Sequence, residues 1–425
     1  MQQFAENIPD MIDRSAILRL LSSLIAEELS VVGKPMPDHF TLTETTFIGV
    51  PIRSAPQDAP HIPIDSIDLL AVATRVSSFF HIFESGIDDA LLMHRTVGDW
   101  IDIVLQSRAD ADCTGNLTFR TSGSSGQPKH ITHARQNLLA EARSLQLLLA
   151  GLNVPTPHAR IVGVVPPHHL YGFMWTVALP NLSRLHVLAA PPASMALART
   201  LKPGDILIAH PTWYATIGSL IPNLHGITAI SSAGVLPESI AAGLLSKGAA
   251  AVLDIYGSTE TGGIAARCFP NPCHALLPHW QRGGDGEFLL RSESALDGDH
   301  VPLCDSVNWH DPHTFTIGAR LDGAIKIAGT NVFPSHVAEL LTSHPEVRLC
   351  SVRVDTPKHP AETPRLKAFI VPEDTGVLVA QATLDELRSQ LEQFARKHLI
   401  SPQRPARFDF GHALPTGTLG KSADW

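Results

Sequence analysis

The sequence predicts an α/β protein of more than one domain, and three observations carry that expectation. Apolar runs of strand length at residues 117–119, 161–165 and 249–253 each lead into a turn of small or polar residues. Helical stretches begin beyond the first two turns, near Ala134 and around Phe173 and Trp175, so strands and helices alternate as in layered α/β folds. The chain of 425 residues is also long enough for two or three domains with full cores.

Composition narrows the classes further. An apolar share of 44% and a charged share of 17% describe an ordinary globular protein. No apolar run approaches the length of a membrane span, and Met1-Gln2-Gln3-Phe4-Ala5-Glu6 lacks the basic start and apolar stretch of a signal peptide. A cytoplasmic protein is expected, and the five scattered cysteines fit a reducing compartment. Cys268, Cys273 and His274 are metal-binding types, but no second pair stands at zinc-site spacing, so plain loop residues are expected. A net charge of −9 argues against nucleic-acid binding. From Asp322 onward the chain carries twelve basic and twelve acidic residues, so the preceding part carries the whole −9.

Five segments hold the chemistry. The first is Thr121-Ser122-Gly123-Ser124-Ser125-Gly126-Gln127-Pro128-Lys129. Its glycines permit tight turns that bring N–H groups onto phosphate oxygens, its hydroxyls add neutral donors, and Lys129 adds charge. The spacing is not that of a Walker loop. The second is Pro166-Pro167-His168-His169-Leu170-Tyr171-Gly172, a polar turn between strand and helix. The third is Asp254-Ile255-Tyr256-Gly257-Ser258-Thr259-Glu260-Thr261, with Ser231-Ser232-Ala233-Gly234 upstream of it. The fourth joins Asp305 to Ala319-Arg320-Leu321-Asp322-Gly323, and the fifth is the tail Leu414-Pro415-Thr416-Gly417-Thr418-Leu419-Gly420-Lys421. Each has a bland explanation alone: a flexible loop, a capping histidine, a surface ion pair, a frayed lysine.

In this order and spacing the five resemble the ANL superfamily of adenylating enzymes from Leu117 through Lys421. Asn331-Val332-Phe333-Pro334-Ser335 looks particularly like its phenylacetate-CoA ligase branch. The resemblance implies a large N-terminal domain and a small mobile C-terminal α+β domain. It implies that Thr121, Ser122, Gly123, Ser124, Ser125, Gly126 and Lys129 cradle the phosphates of ATP. Ser232, Ala233, Gly234, Tyr256 and Gly257 would border the adenine, Thr259 would donate to the α-phosphate, and Glu260 would bind Mg²⁺, which favours one or two carboxylates beside phosphate oxygens. Asp305 and Arg320 would hold the ribose, His169 would line the acyl pocket, Asp322 would be the hinge, and Lys421 would enter for adenylation. Ala319 stands where the family usually has glycine.

Residues 1–107 resemble an acyl carrier protein. A helical pattern at residues 12–29 is followed by a Pro/Thr-rich loop at residues 33–63, Asp65-Ser66-Ile67-Asp68 opening a second helix, and a closing helix from Thr96. Ser66 matches the serine that bears phosphopantetheine, although Pro63 replaces the usual glycine and a serine at a helix start is often just a cap. Three domains are expected: residues 1–107, 108–321 and 322–425. The implied activity is an ATP-dependent acid–thiol ligase. It would adenylate a carboxylic acid, an aromatic one such as a hydroxybenzoate, and pass the acyl group to a phosphopantetheine thiol on an acyl carrier protein. Free CoA is the alternative acceptor, an amine a further one, and a non-catalytic carrier-docking protein the alternative of another class.

Overall fold

The computed structural model describes residues 11–37, 40–49, 60–121, 129–152, 154, 159–189, 197–284, 286, 288–292, 300–320, 323–328, 330–355 and 364–415. The chain forms two compact units. The first holds residues up to 121 with 130–302 and 310–314; the second holds residue 129, residues 303–309 and the described residues from 315 on.

The first unit is built on a twisted sheet. Its strands are β1 (Arg160–Gly163), β2 (His186–Ala189), β3 (Ile206–Ala209), β4 (Thr228–Ser231), β5 (Ala251–Ser258), β6 (Gly262–Cys268) and β7 (His274–Leu276). They lie in the order β7-β6-β5-β4-β3-β1-β2. From β2 to β5 all neighbours are parallel; β5, β6 and β7 are antiparallel. Every residue of β3 and β4 is buried, as expected of parallel strands covered on both faces. Val162, Leu207, Ala229 and Val252 of the sheet form a core with Trp213, Leu224 and Leu244. The chain passes from β1 outward to β2 and then back to the other side at β3, so the strand order reverses at β1. Ligand sites in open α/β sheets lie at the carboxyl ends of the strands beside such a reversal.

The helices Arg14–Val31, Ser66–Phe80 and Val97–Ala109 lie in the same unit as this sheet. Capping boxes start the second and third, Asp65 with Asp68 and Thr96 with Asp99. Ser66 is exposed and stands one residue inside the cap, so Asp65 performs the capping expected of the serine. The expected loop at residues 33–63 contains a short parallel pair, Phe47–Ile48 with His61–Ile62. Ile17, Leu20, Leu21, Leu24 and Ile25 bury the apolar face of the first helix, each contributing about 1.5–3 kcal/mol over exposure. Its other side reaches the residues around the sheet. Arg19 donates to the Thr176 carbonyl at 3.3 Å, Glu28 pairs with Arg120 at 3.1 Å, and Asn181 donates to the Met11 carbonyl at 2.9 Å. These contacts link the helices to other parts of the unit that holds the sheet.

The second unit is α+β. Asp305–Trp309 pairs antiparallel with Thr314–Arg320. Farther on, Arg365–Pro372 is the centre of a three-stranded sheet, antiparallel to Val347–Asp355 and parallel to Pro405–Phe410. Helices Pro334–Thr342 and Gln381–His398 cover it, and Val337, Leu341, Leu366, Ile370 and Leu391 make a core separate from that of the first unit.

Candidate nucleotide and acyl site

Two of the five motif segments, the second and the third with the Ser231–Gly234 stretch upstream of it, fall along the carboxyl edge of the sheet. After β1, the chain turns through Pro166–Leu170, with the His169 N–H donating to the Pro166 carbonyl at 3.2 Å. His169 is the first, non-helical residue of helix Leu170–Phe173 and makes no side-chain cap. Gly172 is required here, because a Cβ would run into the Pro166 carbonyl oxygen. The helix continues as a π-turn through Met174–Ala178, a device frequent at functional sites. Tyr171 places its hydroxyl 3.0 Å from the Ala209 carbonyl and 2.9 Å from that of Ile230, fastening this turn to β3 and β4.

His169 is exposed at its edge, with the protein atoms packed near it withdrawing water from the ring. That desolvation, with added positive charge at His168 and Arg75 and against the pull of Glu27, lowers its pKa to about 4. The imidazole is therefore neutral at pH 7. His168 beside it is buried, its Nδ1 2.6 Å from the Ser23 hydroxyl and its Nε2 3.5 Å from the Glu27 carboxylate. Burial alone would raise Glu27, but the hydrogen bond and charge of His168 and the charge of Arg75 carry its pKa down to about 2. His210, at the end of β3, accepts the Trp213 N–H on Nδ1 at 3.3 Å, which leaves the proton of the neutral ring on Nε2. Burial lowers its pKa.

After β4, Ser232 donates to the Ile255 carbonyl at 2.7 Å, joining this turn to the middle of β5. Ala233 sits at φ 66, where a Cβ is strained, and Gly234 lies against Pro211. Ala233→Gly should raise stability by about 0.5–1 kcal/mol. It removes a left-handed strain of about 1–2 kcal/mol and adds roughly 0.5–1 kcal/mol of chain entropy. Denaturant unfolding reads this directly, and a lowered midpoint would show that the conformation is not strained.

The third segment is a hairpin. β5 runs through Tyr256 and Gly257 to Ser258, which pairs with Gly262 at the start of β6. The Ser258 N–H donates to the Thr261 hydroxyl at 3.1 Å and the Thr261 N–H to the Ser258 hydroxyl at 3.2 Å. This reciprocal pair leaves Thr259 and Glu260 at the tip, the glutamate exposed. The Tyr256 ring is half-buried and meets His274 edge-on at 6.1 Å between centroids.

The remaining predicted residues are placed as follows. Thr121 ends strand Leu117–Thr121 and Lys129 opens strand Lys129–His133, exposed. Asp305 and Arg320 are opposite one another in register across their hairpin. Ser122, Gly123, Ser124, Ser125, Gly126, Asp322 and Lys421 lie outside the described residues. His133, His168, His210, Glu27 and Arg75 were not anticipated. Their partners are up to 145 residues away in sequence, as for Ser23 and His168, and no local spacing announces such pairs.

Mg²⁺ held partly by phosphate oxygens fits this donor set. No cluster of three or more His, Cys, Asp or Glu residues capable of holding a metal occurs among the described residues. A single carboxylate, Glu260, at an exposed tip suits an ion whose other ligands are phosphate oxygens and water.

A parallel sheet with turns of this kind along its carboxyl edge is an open α/β architecture, in which ligands bind at that edge. Residues 105–283 match the family described as AMP-binding enzyme. The chain is 35% identical over 414 residues to a 4-coumarate–CoA ligase of Halorhodospira halophila, covering 95% of this chain and 97% of that protein. It is 34% identical over 416 residues to a 4-coumarate–CoA ligase of Rhodobacter capsulatus, covering 96% and 100%. The solved o-succinylbenzoate CoA synthetase of Bacillus subtilis has the same fold at a TM-score of 0.59 and 15% identity, over 96% of this chain and 92% of that one. The chain belongs to the AMP-binding, adenylate-forming enzymes of the ANL superfamily, and it is an AMP-forming acid–thiol ligase.

Proposed function

We propose that this chain joins an aromatic, hydroxycinnamate-type carboxylic acid to the thiol of free CoA through an acyl-adenylate. The observation that carries the reading is the arrangement of the His169 turn, the Ser232–Gly234 turn and the Thr259–Glu260 hairpin along one edge of one sheet. Relatives named 4-coumarate–CoA ligase over nearly the whole length favour CoA over the carrier protein expected from residues 1–107. The carboxylate attacks the α-phosphate of ATP and pyrophosphate leaves. The thiol then attacks the acyl carbon and AMP leaves. Thr259 donates to the α-phosphate, Tyr256 stacks on the adenine, and Asp305 and Arg320 hold the ribose. Glu260 holds Mg²⁺, which neutralises phosphate charge when bound. Neutral His169 lines the acyl pocket without adding charge beside an apolar ring. Lys421 serves the first half-reaction, and residues 322–425 turn about Asp322 for the second.

The test is mass spectrometry of products with ATP, 4-coumaric or 4-hydroxybenzoic acid, and CoA, a holo-carrier protein or an amine in parallel. The reading expects the aryl-CoA thioester and no added pantetheine mass on Ser66 after treatment with a phosphopantetheinyl transferase. Product only on the carrier, or an arm on Ser66, would restore the carrier-linked reading.

A further inference from the structure

The hairpin that carries Thr259 and Glu260 is held from behind by three buried or half-buried ionisable groups from three separate elements. His133, at the end of strand Lys129–His133, directs Nε2 at the Thr259 carbonyl at 2.6 Å. Arg291, in strand Phe288–Arg291, donates Nη2 to the Thr261 carbonyl at 3.2 Å and lies over the Trp280 ring at 4.3 Å. Glu141, buried in helix Arg135–Gly151, takes a hydrogen bond from the backbone of Gly263. Its carboxylate comes so close to Gly262 and Gly263 that a Cβ on the first would collide with Oε2 and on the second would lie 2.8 Å from Oε1.

These contacts act on peptide planes. A peptide unit is rigid, so a bond to the Thr259 carbonyl also fixes the N–H of Glu260 and the directions in which both side chains leave. The Thr261 carbonyl fixes the next plane but one, and the Gly263 contact the plane after that. The Ser258–Thr261 bonds shape the tip but are internal to it; the three outer groups tie it to other elements of the unit. His133 is the contact nearest the reacting end. A carbonyl oxygen can only accept, so Nε2 carries the proton that His133 gives to Thr259.

We propose that His133 is a positioning residue for adenylation: its Nε2–H orients the Thr259–Glu260 peptide, with Arg291 and Glu141 holding the hairpin behind it. This rests on the reading of Thr259 and Glu260 as the nucleotide-handling pair. A misplacement of about 1 Å in such a site costs about 10²-fold in rate.

The test is carboxylate-dependent ATP–pyrophosphate exchange. His133→Leu keeps the packing against Phe119 and removes the donor, so kcat should fall about 10²-fold while the KM for ATP stays within about threefold. His133→Gln, which restores an N–H donor, should recover kcat to within about tenfold of the native enzyme. Equal losses in both variants, or a loss confined to thermal stability, would overturn the proposal. Arg291→Met keeps an apolar contact with Trp280 and removes the donor to Thr261, so it gives the same kcat-against-KM split if His133→Leu does not fold. Thr259→Ala and Glu260→Gln are run alongside. If they leave exchange intact, the underlying reading of the hairpin fails; if they impair it and His133→Leu does not, the positioning role alone fails.

Discussion

Lys421→Ala slows acyl-adenylate formation by about 10²–10³-fold and leaves thioester formation from supplied acyl-AMP nearly unchanged. Negative charge gathers on the α-phosphate as the carboxylate attacks, and a delivered ammonium stabilises that charge more than it stabilises bound ATP. The second half-reaction builds its charge at the acyl carbon and has no need of the same cation. The two rates therefore separate. ATP–pyrophosphate exchange reads the first, and thioester formation from synthetic acyl-AMP reads the second. Equal loss in both would place Lys421 in folding rather than in the chemistry.

Arg75→Met is expected to destabilise the first unit by about 1–3 kcal/mol, the cost of removing one of the two partners of a largely buried carboxylate that keeps His168. The side chain of Arg75 is 1% exposed and that of Glu27 21%, with Nη2 3.1 Å from Oε2. This pair is far from the surface kind that contributes next to nothing. The Glu27 carboxylate is held down to about 2 against its burial, by the hydrogen bond and charge of His168 first and by Arg75 after it. The sign follows from the depressed value. The Glu27 contribution is fully present above the unfolded pKa and is lost as pH falls toward about 2. Urea unfolding at pH 7 and at pH 3 measures it, and the difference between native and variant should shrink at the lower pH. An undiminished difference would mean that Arg75 acts through packing on Phe79 instead.

The same pair shows where sequence reading stops. The caps at Asp65 and Thr96 and the apolar faces of the first helices are local, and each is legible from a few residues. Periodicity reports that one face of a helix is buried, not what it is buried against. The pattern of residues 1–107 therefore reads equally as a free carrier or as helices built into the sheet's unit. The contacts of Ser23 and Glu27 with His168, which no local pattern announces, span as many as 145 residues. A like limit governs β5. The apolar run at residues 249–253 predicts a strand that ends before the Tyr256 motif. The strand extends to Ser258 because β6 pairs with it up to Gly262, with one register shift between Gly263 and Ala265, and that partner follows it only after a tight hairpin. The motif residues were legible by type and order. Their support by His133, Glu141 and Arg291 was not, since each comes from a different element.

The claim at the centre of this account is that the carboxylate oxygen attacks phosphorus. It is tested most directly with an acid labelled with ¹⁸O in its carboxylate, turned over with ATP, Mg²⁺ and CoA, and followed by mass spectrometry of the nucleotide product. Acyl-adenylate chemistry predicts AMP carrying one ¹⁸O atom, with unlabelled pyrophosphate released beside it. ADP and labelled phosphate, or AMP without label, would contradict it.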